Sequence, residues 1–537
     1  MAAQKEVAGR PFRDHSKGSE PHMSDTGAQT EMKRTLTLTG ITVNAMALIA
    51  PGAFLWTTFQ MQSAQTAGGV ATASDMWTGL LFALVLAFLT AYSYSELARI
   101  YPGAGTGSSY YFAEAALLDK EKPQHRRFAR LAKVSIGWIS HLYYWIYPGI
   151  MVAFTATLAG YMWQTITGQS LSFPVLAVIA VVFAGVSGYI AFRGISGSTN
   201  TAIAINVIQL TALAAFAIFA IYFRLSHPAI AGGYQMASAA SIVIPHSFIN
   251  IIYQSTIAIL LLVGFESVTA LGAEAKRPDK DIKRGVLLSL GIQGIAAYLF
   301  EYFAANFVVG GATLQAKTAT GAKVLGYAAA AVDSAPIGTM VKNMVNTVFG
   351  GAGTAVALLL SATVLLALIG TTLACLNAGV RITYSMARDK EMPSILGLLH
   401  GRFATPHAGI FILAAISAVF GVYGVYSVDT LTQITLASNT GTFLVYGMTC
   451  IVAIVAFASH KDRNLFKHYV VPGLGFLMNV GMLVGVVYLA VVAGGATSTD
   501  AFIALGMVGV WLVAGAVWIA LNPSKRGESL LTLQEAA

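Results

Sequence analysis

Ile49-Ala50-Pro51-Gly52-Ala53-Phe54 lies in the middle of an apolar run from about residue 38 to 62. About 20 apolar residues cross a bilayer as a helix, and this run carries a Pro-Gly pair at its centre. Pro51 has no N–H to give the helix, and its ring clashes with the preceding turn. Gly52 tolerates backbone angles closed to other residues. Together they predict an unwound segment whose free N–H groups, at the positive end of a half-helix, suit a substrate carboxylate. Taken alone, the pair also reads as a proline kink filled by a neighbouring helix. The sixth apolar run repeats the feature at Gly264-Phe265-Glu266-Ser267. Breaks in the first and sixth spans fit a five-plus-five inverted repeat with a binding site between them. That site would draw on Ala50, Pro51, Gly52 and Ala53 from one break, and on Gly264, Phe265, Glu266 and Ser267 from the other.

Composition agrees. Of 537 residues, 56% are hydrophobic and 10% charged, against about 25% charged in a soluble domain. So few charges cannot coat a soluble globule. This excludes a soluble enzyme, a nucleic-acid-binding module and a disordered protein. Twelve apolar runs are legible, at about 38–62, 76–100, 135–163, 173–192, 199–223, 251–273, 285–309, 353–378, 407–427, 431–458, 470–493 and 501–521. The expected fold class is an all-α polytopic membrane protein with 12 transmembrane helices. Residues 36–460 form the ten-helix inverted-repeat core with broken helices 1 and 6, and 461–521 add two C-terminal helices. A disordered cytoplasmic N-tail (1–35) and a cytoplasmic C-tail (522–537) flank them. The N-tail lacks the apolar region of a signal peptide, so the first span reads as an uncleaved anchor.

Of the 32 Lys and Arg residues, 28 fall in the tails and in the loops on the same side of the spans. The other side has only Arg224, Lys317, Lys323 and Lys342. The positive-inside rule then places both termini in the cytoplasm, and the even number of spans agrees. The net charge of +9 is topological and is no signal for nucleic acid. A lipid-binding reading of the basic stretch from Lys120 to Lys133 is the weaker one. The long outer loop, about 310–352, is expected to hold a short helix over the outer mouth.

Polar groups inside the apolar runs are costly and mark function. Glu266 should face a cavity, cap freed backbone N–H groups or be protonated; a substrate ammonium or a proton is its natural partner. The competing reading is a structural carboxylate that ties the broken helix together. Glu301, in the seventh span, is a second proton-coupling candidate, or hydrogen-bonds Tyr or Asn neighbours. His141, among Tyr143, Tyr144 and Trp145, reads as a satisfied packing residue, while its span, with Tyr143 and Tyr144, is a candidate cavity wall or gate. Cys375 and Cys450 read as small packing residues. No cofactor motif or metal-ligand spacing is visible.

Four landmarks resemble those of the amino acid–polyamine–organocation superfamily of permeases, over roughly 36–460. The stretch Ile49 to Phe54 resembles the family's glycine-rich unwound segment. Ser95-Glu96-Leu97-Ala98-Arg99-Ile100-Tyr101-Pro102-Gly103-Ala104-Gly105, followed by Tyr110, resembles its most recognisable stretch. Gly264-Phe265-Glu266-Ser267 runs into Ala273-Glu274-Ala275-Lys276-Arg277-Pro278 and Ile282-Lys283-Arg284, with Lys283 in the usual proline place. Asn377-Ala378-Gly379-Val380-Arg381 continues through Tyr384, Met386, Ala387, Arg388 and Asp389. The resemblance implies secondary active transport of amino acids or related amines by alternating access, proton-coupled or by exchange, across the cell membrane. It implies that Ala50, Gly52 and Ala53 hold the substrate carboxylate, and that Gly264, Phe265 and Glu266 lie near the amine. Ser438 and Asn439, in span ten, would line or gate the cavity. Two departures matter. Pro51 removes one N–H donor, which leaves room for a decarboxylated amine or polyamine. Gln209 stands where some relatives place a lysine, and it cannot titrate.

Two other classes compete. A transport-incompetent amino acid sensor on the same scaffold would need a partner or a large signalling domain, for which the short tails leave little room. Gly194-Ile195-Ser196-Gly197 and Gly185-Val186-Ser187-Gly188 resemble the G-x-S-G of intramembrane serine proteases, with His141 or His246 as the base. Small residues are common in membrane helices because they allow close packing, and Ser196 falls in a short turn, so the protease reading is remote. The expected partners are a small amino acid or amine, protons and the lipid bilayer.

Overall fold

The computed structural model describes residues 36–49, 52, 55–101, 107–118, 127–194, 199–272 and 275–521. They belong to one compact unit, Arg34–Ala537. The tails, Ala50, Pro51, Ala53, Ser196 and the stretch from Lys120 to Arg126 lie outside the described residues.

The fold is helical. The first apolar run gives two short helices, α1 (Leu38–Leu48) and α2 (Leu55–Ala64). Thr37 caps α1 by accepting from the Gly40 N–H at 3.5 Å. A small hairpin, β1 (Thr66–Ala67) with β2 (Val70–Ala71), leads to α3 (Met76–Ile100). A short helix α4 (Ser109–Leu118) precedes α5 (Arg127–Thr167), which contains Pro148. α5 starts before its apolar run because its first turns carry Arg127, Arg130 and Lys133; hydropathy sees only the lipid-depth part. α6 (Phe173–Phe192) and α7 (Thr199–Ser226) are separate helices, divided where the sequence places Arg193 to Ser198.

A short helix α8 (Ala239–Val243) precedes the sixth run, which begins with α9 (Phe248–Ala258). Ser247 caps α9, and the buried Asp75 carboxylate accepts from the N–H groups of His246 and Ser247 and from Asn250 Nδ2. A 3-10 turn, Ile259–Leu261, closes this half. A second 3-10 segment, Phe265–Leu271, follows Gly264. α10 (Pro278–Leu290), a π-helical stretch Gly291–Leu299 and α11 (Phe300–Val308) make one continuous helical run.

The loop of about 310–352 holds more than the single helix expected. It contains the hairpin of β3 (Gln315–Lys317) and β4 (Lys323–Leu325), then α12 (Tyr327–Val332) and α13 (Pro336–Phe349). α13 buries Ile337, Met340 and Met344, and Gly338 lies against the Trp56 ring, so the loop is packed onto α2. The chain ends with α14 (Gly353–Arg388), α15 (His407–Gly424), α16 (Val428–Phe457), α17 (Val471–Val492) and α18 (Gly495–Leu521).

Among the described residues, ten helices are long and apolar enough to cross a membrane. The two remaining apolar runs are the broken ones. At 1.5 Å per residue, α1 and α9 are each about 16 Å long, half of a ~30 Å hydrocarbon core. The long helices present Val, Leu, Ile and Phe outward, as lipid-facing helices do, while Tyr, Ser, Thr and Asn collect inside. α5 packs on α14, α15 and α16; α10 packs on α1 and α3.

Candidate functional site

The break in the sixth run is built around Gly264. Its φ of +126° is open to glycine and strained for other residues. A Cβ there would meet Leu48 Cβ at 2.7 Å and Ile49 N at 3.2 Å. The two broken runs therefore touch backbone to backbone, with the end of α1 against Gly264.

Helix ends leave carbonyls without partners. Those at the end of α1 are taken up by side chains of two other elements. Gln293 Nε2 donates to Met46 O at 2.9 Å, Thr371 Oγ1 to Ala47 O at 3.0 Å, and Tyr298 OH to Ile49 O at 2.6 Å. Gly52, the described residue within the first break, has φ +81°, and a Cβ on it would press on the Leu213 side chain at 3.2 Å. Ala50, Pro51 and Ala53 lie outside the described residues.

Glu266 sits two residues beyond Gly264 and is 3% exposed. Its Oε2 accepts from the Gly264 N–H at 3.0 Å and from Tyr446 OH at 2.7 Å; its Oε1 accepts from Tyr143 OH at 2.9 Å and Tyr144 OH at 3.3 Å. An ionised carboxylate has acceptor sites for all four donors, and these donors offset its burial. Of the sequence expectations for Glu266, capping a freed N–H and tying the broken helix together both describe this geometry. The same group also joins three elements: the break, α5 through Tyr143 and Tyr144, and α16 through Tyr446.

Phe265 is fully buried, its ring centroid 5.2 Å from Tyr446 and 6.0 Å from Tyr94. Ser267 Oγ donates to Gly264 O at 2.6 Å and tightens the 3-10 turn. The residual space beside Glu266 is about 10 Å³, bordered by Ser109, Ser140, Tyr143, Tyr144 and Tyr446. That is about the room of one water, so the site is closed in this conformation. A larger cavity of about 210 Å³ lies near α2 and the far end of α5, bordered by Gln60, Tyr161, Gln164, Ser334 and Ser427, with no charged side chain on its wall among the described residues.

Other expected residues lie elsewhere. Asn439 Nδ2 donates to Thr256 O at 2.7 Å and so caps α9, while Ser438 Oγ is buried with no partner among the described residues. Neither borders the space at Glu266. Glu301 is buried in α11 between Tyr298 and Tyr302, whose hydroxyls bond away from it to Ile49 O and Gln62 Oε1. Its Oε2 has no hydrogen-bond partner among the described residues. His141 is satisfied by Gly137 O at 2.6 Å and Thr383 Oγ1 at 3.0 Å, as a packing histidine would be. Gln209 is buried with both amide atoms unpartnered among the described residues. Sequence reasoning missed Tyr446 and Tyr94. Tyr446 follows Asn439 by two helical turns, so the 3.6-residue period already placed it on the same face of α16.

A buried acid at the junction of two broken apolar helices, inside a bundle of long membrane helices, defines a polytopic transporter scaffold. The chain belongs to the amino acid permease family, whose model matches residues 40–526, and so to the amino acid–polyamine–organocation superfamily. It is an integral, multi-pass protein of the cell membrane, and its family is that of amino acid transport. It is 22% identical over 463 residues to the low-affinity putrescine importer PlaP of Escherichia coli (strain K12), covering 85% of this chain and 89% of that protein. It is 24% identical over 404 residues to the methylthioribose transporter of Bacillus subtilis (strain 168), covering 73% and 77%. It is 22% identical over 510 residues to the branched-chain amino acid permease BcaP of the same organism, covering 90% and 95%.

Proposed function

We propose that this protein moves an amino acid or a related amine across the cell membrane by alternating access, driven by protons or by exchange. The substrate binds between the break at Ala50 to Ala53 and the break at Gly264 to Ser267. In this reading the two broken runs count as spans one and six, giving twelve spans. Spans one to ten form a five-plus-five inverted repeat over 36–460, 461–521 adds two helices, and both termini are cytoplasmic.

The observation that carries the reading is the Glu266 carboxylate. It caps the Gly264 N–H at the break and is held by tyrosines from α5 and α16. A group shared by three elements can hold the cytoplasmic half of the pathway shut and release it when it gains a proton or loses its tyrosines. A protonated Glu266 accepts fewer hydrogen bonds, which weakens the bridge to α5 and α16. Glu301, whose Oε2 has no partner among the described residues, is the second proton-coupling candidate. The 210 Å³ cavity is the outer approach, where a small amino acid or amine meets Gln60 and Tyr161 before the break. Entry, binding and release then follow from rocking of spans one, two, six and seven against the rest.

The test is uptake by purified protein in proteoliposomes, over a panel of amino acids and polyamines, with and without an inward proton gradient. Gradient-stimulated uptake of one class supports the proton-coupled reading. Uptake only into vesicles preloaded with a counter-substrate supports exchange. Folded protein that binds an amino acid but moves none favours the sensor.

A further inference from the structure

Lys133 is a charged side chain with no exposure at all. Its Nζ lies 2.6 Å from Glu114 Oε2 and 2.7 Å from Asp389 Oδ2, and over the rings of Tyr110 and Tyr111 at 4.6 and 4.8 Å. Tyr110 OH donates to the same Asp389 oxygen at 2.9 Å. Three separate elements meet there: α4, the first turns of α5, and the end of α14. Gly137, one turn along α5, makes room for the Tyr110 ring, which a Cβ would strike at 2.7 Å.

The N-terminal end of α4 faces the Glu266 space. Gly107, Ser108 and Ser109 border it. Ser109 Oγ donates to Tyr94 OH at 2.6 Å, and Ser108 Oγ lies 2.6 Å from Thr269 Oγ1, in the same 3-10 segment as Glu266. Ser108 holds φ +50°, a conformation rare for a serine. The entry to α4 is therefore pressed onto the site, and Lys133 grips the helix just beyond that entry, at Tyr110, Tyr111 and Glu114.

We propose that α4 is a lid over the Glu266 site and that Lys133 is its latch, a positioning residue that clasps Glu114 on the lid to Asp389 on the frame. This rests on the transporter reading above for the purpose of the lid.

The choice of charges is what makes it a latch. A buried ion pair adds little to net stability, because its attraction is offset by lost hydration; an apolar replacement is often as stable. An apolar lid would favour closure in every state. A charged clasp regains hydration when it parts, so its closed and open forms are near balance, as a two-state gate needs. Removing one partner is different, because it leaves a buried charge uncompensated. Lys133→Met would set Glu114 and Asp389 against each other.

The test uses the full chain in sidedness-controlled vesicles, with Cys375 and Cys450 replaced by Ser and with Ser140→Cys as reporter. Ser140 borders the Glu266 space and is buried. A membrane-impermeant maleimide is applied from the cytoplasmic side, without substrate. Lys133→Met is expected to speed labelling on the order of tenfold. The neutral triple variant Glu114→Gln, Lys133→Met, Asp389→Asn is expected to return it to within about twofold of the parent. Unchanged labelling in Lys133→Met overturns the latch, as does equal acceleration in the triple variant, which would report lost packing. If Lys133→Met does not reach the membrane, Glu114→Gln with Asp389→Asn leaves the lysine unpaired. That pair must also speed labelling, and its failure to do so overturns the proposal. Labelling needs no substrate, so a latch that responds in a protein showing no uptake would fault the transport reading and leave the lid standing.

Discussion

Tyr446 OH and Glu266 Oε2 are 2.7 Å apart, and this bond joins α16 to the second half of the broken sixth run. Glu266 also accepts the Gly264 N–H and the hydroxyls of Tyr143 and Tyr144. Any motion that separates α5 and α16 from the break must first part these bonds.

Glu266→Gln tests whether the charge matters. Glutamine keeps the shape but turns one acceptor oxygen into a donor group, which cannot accept from Tyr446 or Gly264. Uptake or its pH dependence should fall on the order of tenfold, a loss of about 1.4 kcal/mol, while size-exclusion behaviour in detergent stays close to that of the parent. Unchanged uptake across pH would remove Glu266 from the mechanism.

Tyr446→Phe deletes one donor and little volume. A hydrogen bond to a charged group is worth about 1.5–3 kcal/mol. Transport should slow several-fold, and the Ser140→Cys thiol should label faster from the cytoplasmic side. If both rates match the parent, the bond does not hold the closed form.

The two break glycines should fail differently. Gly264→Ala puts a Cβ at 2.7 Å from Leu48 at a φ of +126°, so the folded state itself suffers. Its thermal midpoint in detergent should fall well below that of the parent. At Gly52 a Cβ meets first, among the described residues, the flexible Leu213 side chain at 3.2 Å, though at a φ of +81°. Gly52→Val should fill the first break and abolish binding more than folding. Wild-type substrate affinity in Gly52→Val would count against a site there.

The latch should respond to pH through Glu114. Burial, with help from Asp389 and Glu391, raises its carboxyl above the usual range, while Lys133 opposes the shift. Arg130, paired with Glu391, and the rings of Tyr110 and Tyr111 are the remaining groups around the cluster. An open lid hydrates Glu114 and returns it towards its ordinary value. The closed form then binds its proton more readily than the open form, so acidification between the two values favours closure. Cytoplasmic-side labelling of the Ser140→Cys thiol, taken relative to a freely exposed thiol at the same pH because the thiolate is the reacting form, should slow as pH falls through that window, and Glu114→Gln should flatten that ratio. An acceleration on acidification would reverse the assigned sign.

Much of this was legible in the sequence, because lipid allows so few solutions. Ten of the apolar runs became helices long enough to cross, since in hydrocarbon each backbone group must be satisfied within its own helix. The break at Gly264 followed from a glycine beside a buried acid. Its partner at Pro51 lies outside the described residues, though α1 and α2 end on either side of it. The pairing of Glu266 with Tyr143 was within reach, as both were singled out separately. What joined them was helix packing, which no local pattern encodes. The same is true of Lys133: its charge and that of Glu114, on consecutive helices, look like loop charges until the fold brings Asp389, from far along the chain, onto them. From sequence the 310–352 loop is expected to hold one short helix; its second helix and its hairpin escaped notice because these elements are short and their apolar faces match no span.

The most direct measurement is uptake into proteoliposomes under an inward proton gradient, with parent and Glu266→Gln protein side by side, across the amino acid and polyamine panel. The account predicts that the parent accumulates one class of amino acid or amine, and that Glu266→Gln loses most of that accumulation or its dependence on the gradient. Equal, gradient-stimulated accumulation by both proteins would contradict it.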